Sequence, residues 1–366
     1  MKLKYVLTLG KPFGIKVSVH WSFLLIIAWV VYVDIQQGLT LNQILYSILF
    51  VLFIFLCVVI HELSHSLTAR KYGISTRSIT LLPIGGVADL EKMPEDPKEE
   101  FTVSIAGPIS NLAIALILWI VLTISGNFDL QGEDFRAINK SNFLIVLTFA
   151  NLMLATFNLL PVFPMDGGRV LRALLAIRLP REKATYIAMN IGKFLAVGLG
   201  LLGLYINPFL IIIAIFIFIG AQREYDMIRY TSVLTGYLVR DNLINEFTPL
   251  HPYESIQRAV DILLSTPEER FVVTEDKMVK GILTRNDIIE GLMNYDKDQE
   301  IALIMNKDVT VFSEDTPLEI AYEKMRNKQI TMAPVVDDND ELIGIIDMVN
   351  INEFLMVKSV HKRQSS

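Results

Sequence analysis

Over roughly the first 220 residues, long apolar runs alternate with short polar breaks; over roughly the last 125, apolar positions come in short, punctuated groups. The long runs predict membrane-spanning helices. Val17 to Val33, apolar apart from Ser18, His20, Ser22 and a few aromatic polar tips, predicts a first span with Trp21 and Trp29 as interfacial anchors. Ile44 to Ala69 predicts a second, closed by Arg70 and Lys71. Ser78 to Leu90, with Pro83-Ile84-Gly85-Gly86 inside it, predicts an extended loop, and Glu91 to Glu100 a charged connector. Phe101 to Ser125, Phe143 to Leu160, Ala184 to Tyr205 and Pro208 to Ala221 predict four more spans. The expected fold class is a polytopic α-helical membrane protein of about six transmembrane helices followed by a soluble α/β module.

Basic residues orient such spans, because they stay on the cytoplasmic side. Lys2, Lys4, Lys11 and Lys16 precede the first; Arg70, Lys71 and Arg77 follow the second. Arg169, Arg172, Arg178, Arg181 and Lys183 lie between the fourth and fifth, and Arg223 and Arg229 follow the sixth. The opposite loops hold only Arg136 and Lys140. The expectation is a multi-pass cell-membrane protein with both termini and the soluble module in the cytoplasm. The first run lacks a cleavable-signal pattern and reads as a retained anchor.

The tail carries an internal repeat. Glu254 to Val260, Phe271-Val272-Val273 and Gly281 to Asp287 form one copy; Pro317 to Tyr322, Pro334-Val335-Val336 and Gly344 to Asn350 form the second. Each copy reads helix, strand, strand, helix. The expected division is 1–222 for the membrane domain, 223–240 for a linker, 241–297 and 298–358 for the two copies, and 359–366 for a tail.

Composition sharpens this. The chain has 366 residues, 52% of them hydrophobic, and a mean hydropathy of +0.45, which excludes an ordinary soluble enzyme. A net charge of −6 offers no basic face to nucleic acid. The single cysteine, Cys57, excludes an intramolecular disulfide and reads as a small buried apolar residue.

The candidate chemistry is His61-Glu62-Leu63-Ser64-His65, near the end of the second run. Residues four apart share a helix face, so both imidazoles reach one metal ion, and Glu62 beside them can take a proton from a water. Ionisable residues at membrane depth are costly and mark function. A catalytic zinc needs a third ligand and an open position. Asn158-Leu159-Leu160-Pro161-Val162-Phe163-Pro164-Met165-Asp166-Gly167-Gly168 supplies a candidate, Asp166, after a helix broken by two prolines. Asp166 also reads as an N-cap for the helix that follows. Asn158 reads either as a substrate or oxyanion contact or as an interhelical hydrogen bond. His20 reads as a polar packing residue, with a gating or fourth-ligand role as the alternative.

These two motifs resemble the site-2 proteases, zinc-dependent intramembrane metalloproteases. The resemblance implies one Zn2+ per chain held by His61, His65 and Asp166, Glu62 as general base and Asn158 beside the active site; the basic-residue pattern is what puts the three ligands toward the cytoplasmic ends of their helices. It implies that a transmembrane protein is the substrate, unwound locally before cleavage. Ala106-Gly107-Pro108 with Asn111 resembles the family's small-residue stretch, expected to serve close helix packing. The Pro83 to Gly86 loop resembles one that presents an edge to an extended substrate, or is a surface turn. The repeated tail resembles a pair of CBS domains. That likeness implies an adenine nucleotide, ATP, ADP or AMP, with Thr284 near phosphate and Asp287 and Asn350 on ribose, and a homodimer formed through the pair. Asp347 stands where the second copy should carry a hydroxyl and is expected to repel phosphate. The alternatives are a pair that only mediates dimer contacts, a CBS-regulated metal-ion transporter, and a non-catalytic scaffold. Glu62 separates protease from transporter, since transport needs no base.

Overall fold

The computed structural model describes residues 6–83, 85–90, 93–126 and 137–364. Lys2, Lys4, Ile84, Glu91 and Arg136 lie outside the described residues. The chain divides into two compact units, Lys2–Ile228 and Arg229–Ser366.

The first unit opens with strands β1 (Val6–Gly10) and β2 (Lys16–His20), followed by helices α1 (Phe23–Gln36) and α2 (Leu41–Arg70). The expected first span is thereby corrected. Val17 and Val19 alternate with Ser18 and His20, a period of two that folds as a strand, and the helix starts only at Phe23. His20 turns its Nδ1 to Ser22 Oγ at 2.7 Å, a local polar contact. Strands β3 (Thr76–Leu82) and β4 (Gly85–Leu90) come next, and the sheet order is β1-β2-β3-β4. β2 pairs with β3 in parallel, Val17 opposite Ile79, so α1 and α2 form the crossover between them. The expected extended loop is thus a hairpin on a four-stranded sheet. Phe23, Val51, Phe55 and Leu81 bury one face of this layer, with the Phe23 and Phe55 rings edge to face at 4.5 Å.

Helices α3 (Pro97–Ile124), α4 (Phe143–Asn158), α5 (Asp166–Ala176), α6 (Arg181–Tyr205) and α7 (Phe209–Leu234) follow. Asp96 caps α3 by accepting from the amides of Lys98 and Glu99, and Pro97 sits at its first position. Glu100, expected in a connector, is therefore inside α3, and it is 1% exposed. It receives the buried Arg172 of α5, whose Nε donates to Glu100 Oε1 at 2.8 Å and whose Nη1 donates to Glu224 Oε1 of α7 at 2.8 Å. Arg181 of α6 adds a contact to Glu100 Oε2 at 3.5 Å. This network binds four helices by charge at the end of the unit that holds the site. α7 runs beyond the expected sixth span, through Arg223 to Leu234, because no glycine or proline follows Ala221 until Gly236.

Among the described residues, three helices, α2, α3 and α6, are long and apolar enough to cross a membrane; α1 and α4 are shorter apolar helices. Their outward faces are apolar, as with Leu52, Leu56 and Ile60 of α2, which suits a lipid surround.

The second unit contains α8 (Ile256–Ser265), β5 (Arg270–Glu275), β6 (Met278–Thr284), α9 (Arg285–Asn294), β7 (Phe312–Ser313), α10 (Leu318–Lys328), β8 (Met332–Val336), β9 (Leu342–Asp347) and α11 (Met348–Gln364). Each repeated motif folds as the sequence predicts, into helix, hairpin and helix. The copies interlock: Ile244, ahead of the first, bridges to Ile345 of β9, and Asn306, ahead of the second, bridges to Ile282 of β6. Val272, Met332 and Ile345 bury the seam between the copies.

Candidate metal centre

His61 and His65 stand one turn apart on α2, both 6% exposed. Asp166 begins α5 just past the break after α4. Its side chain does not cap that helix; it turns to the histidines. Asp166 Oδ2 lies 3.1 Å from His61 Nε2 and 3.2 Å from His65 Nε2, and the two Nε2 atoms are 3.1 Å apart. Donors held about 2.0–2.1 Å from one zinc ion in a tetrahedron stand about 3.3 Å from one another. The three atoms are therefore spaced as one face of a zinc tetrahedron requires, and this donor set fits a metal ion.

The atoms behind them fit the same role. His65 Nδ1 donates to the Val103 carbonyl at 2.7 Å, leaving Nε2 its lone pair. His61 Nδ1 lies 2.5 Å from Asn111 Oδ1. Both partners are on α3, which comes this close only because of Gly107: a Cβ there would stand 2.2 Å from His65 Nε2 and 2.5 Å from His61 Nε2. The small-residue stretch thus serves the imidazoles themselves. Sequence reasoning named Asn111 and Gly107 only for packing; the distance from His61 to α3 in the folded chain was the missing signal.

Glu62 is half-buried on the same helix. β4 passes against it, since a Cβ on Gly86 would lie 2.7 Å from Glu62 Cγ. Asn158, at the end of α4, spends its amide on its own helix, donating to the Leu154 carbonyl at 3.0 Å. An interhelical bond, one of the two readings of Asn158, is not among its described contacts.

In the second unit Thr284 caps α9 and shares a reciprocal box with Asp287, whose Oδ2 accepts from Thr284 N at 2.8 Å and Oγ1 at 2.6 Å. Asn350 is half-buried on α11, its carbonyl 3.5 Å from Asn242 Nδ2. Asp347 caps α11 through the Val349 amide at 2.7 Å and faces Arg270 Nη1 at 3.5 Å. Arg270 pairs with Thr284 across the β5–β6 ladder, so it reaches from the first copy's hydroxyl position to the second copy's acid. Nothing in the linear pattern singles out this arginine.

The model of peptidase family M50 matches residues 49–140 and 123–199, and that of the CBS domain matches 239–294 and 299–357. A zinc metalloprotease of Methanocaldococcus jannaschii is 35% identical over 350 residues, 95% of this chain and 96% of that protein. This chain belongs to peptidase family M50. It is a membrane metalloprotease of that family carrying two CBS domains. Stage IV sporulation protein FB of Bacillus subtilis is 30% identical over 202 residues, 53% of this chain and 66% of that one. A solved site-2 protease from Methanocaldococcus jannaschii is 38% identical, covering 60% of this chain and 95% of that one, with a TM-score of 0.44.

Proposed function

We propose that this M50 member is a zinc-dependent intramembrane endopeptidase that cleaves transmembrane segments of membrane-bound substrates. The observation that carries the reading is the triangle of His61 Nε2, His65 Nε2 and Asp166 Oδ2, with edges of 3.1 to 3.2 Å. These three residues would hold the zinc, which when bound acts as a Lewis acid on the scissile carbonyl and makes water acidic enough to attack near neutral pH. Glu62 takes the proton of the attacking water and returns it to the leaving amine. Asn158 contributes beside the site as a polar contact for substrate. β4 is the last strand of its sheet and lies against Glu62, so an extended substrate adding along its outer edge would pass next to the base.

The chain crosses the bilayer about six times, as its apolar runs and basic loops support. Both termini and the CBS pair then face the cytoplasm, with the active site toward that side. The division at 1–222, 223–240, 241–297, 298–358 and 359–366 belongs to this reading. The CBS pair binds an adenine nucleotide through Thr284, Asp287 and Asn350 and dimerises with a second copy. Arg270 offsets the charge of Asp347 and supplies a cation for phosphate.

The test is zinc content and single-turnover cleavage of a transmembrane substrate in detergent, wild type beside Glu62→Gln. Both proteins are expected to bind about one zinc, with cleavage lost in the variant by about 10²-fold or more. A zinc-free wild type removes the ligand assignment, and a fully active variant removes the base.

A further inference from the structure

The hydrogen bonds behind His61 form a chain with a fixed direction. Asn111 of α3 and Asn151 of α4 are both 0% exposed. Asn151 Nδ2 lies 2.9 Å from the Leu147 main-chain oxygen and 3.4 Å from Cys57 Sγ. A main-chain carbonyl only accepts, so the nitrogen of the Asn151 carboxamide must face it. Asn151 Oδ1 then faces Asn111, whose Nδ2 donates to it at 3.0 Å. That leaves Asn111 Oδ1 toward His61 Nδ1, at 2.5 Å. An amide oxygen only accepts, so Nδ1 carries the proton and Nε2 keeps the lone pair that faces Asp166 and His65. Turning Asn111 over would set its oxygen against the oxygen of Asn151. In a buried, low-dielectric setting no solvent relieves that opposition.

We propose that Asn151 is a positioning residue for metal binding: acting through Asn111, it holds His61 in the tautomer that can ligate. The proposal rests on His61 being a metal ligand. The two histidines are thus fixed by different means. His65 is fixed directly by a main-chain carbonyl, whereas His61 depends on two side chains and a carbonyl on a third helix.

The experiment measures zinc affinity of the full chain in detergent by competition with a chromogenic chelator. The proteins are wild type, Asn151→Leu, Asn151→Asp, Asn111→Asp and the double variant Asn111→Asp with Asn151→Leu. Asn151→Leu is expected to weaken zinc binding by about 10- to 100-fold. Asn151→Asp, protonated in this buried setting, donates its O–H to the Leu147 carbonyl and still accepts from Asn111, and is expected to stay within about threefold of wild type. An aspartate at position 111 offers His61 an acceptor in either orientation, so there the leucine is expected to cost less than about threefold. Wild-type affinity in Asn151→Leu overturns the proposal. So does an equal loss in both backgrounds, which is what a mere packing role gives. A wild type that binds no zinc removes the metal reading and this one with it. Where Asn151→Leu does not accumulate, imidazole nitrogen chemical shifts of the metal-free wild type read the proton on Nδ1 directly: a protonated Nδ1 on His61 is expected, and an unprotonated Nδ1 overturns the proposal.

Discussion

Gly107 and Gly86 press on opposite parts of the same site, and their substitution separates binding from turnover. A methyl group at position 107 would lie 2.2 Å from His65 Nε2, so Gly107→Ala is expected to weaken zinc binding by at least about 10-fold in chelator competition. A methyl at position 86 would lie 2.7 Å from Glu62 Cγ, away from the ligand triangle. Gly86→Ala is expected to keep its zinc and lose roughly 10²-fold in kcat, because a displaced base is no longer aligned. Metal analysis beside single-turnover rates distinguishes the two. At this scale the meeting of His61, His65 and Asp166 was readable, since a fixed spacing and a helix break announce them. Asn111, Gly107 and Val103 could be given no such role, because what they do depends on α3 lying against α2, a contact between residues far apart in the chain.

Among the elements, α5 matters most, because Asp166 rides on its first turn. Arg172, two turns further on, is fully buried with its charge matched by Glu100 and Glu224. Arg172→Met would leave Glu100 buried with its main partner gone, at a cost of about 3–5 kcal/mol. Glu224 keeps 25% of its side chain exposed, so Glu224→Gln is expected to cost clearly less. Thermal unfolding in detergent measures both, and equal shifts would place the strain elsewhere. Elements were legible where their signal is local. The long apolar helices α2, α3 and α6 follow from continuous apolar sequence. The run from Val17 misled because a long apolar stretch hides a five-residue strand, and that strand's parallel partner, β3, follows only after two helices.

For the whole molecule, the tail repeat was readable because each copy is a local unit, whereas the exchange of Ile244 and Asn306 between copies was not. The nucleotide reading meets its test here. Calorimetry on the full chain is expected to detect ATP, ADP or AMP at millimolar ligand, with binding weakened about 10-fold in Arg270→Ala through loss of one charge-assisted contact. Silence with all three nucleotides would leave the pair a structural or dimer-forming module. The shortness of α1 and α4 has a physical consequence of its own. At 14 and 16 residues they rise only about 21 and 24 Å, against a hydrocarbon thickness near 30 Å. If both cross the bilayer as proposed, the lipid beside them must pinch inward, and hydrophobic mismatch becomes part of the reaction. A substrate helix of ordinary length drifting into that thin collar has a surplus turn with no hydrocarbon to hold it, so acyl-chain length should tune the rate at which its end comes undone.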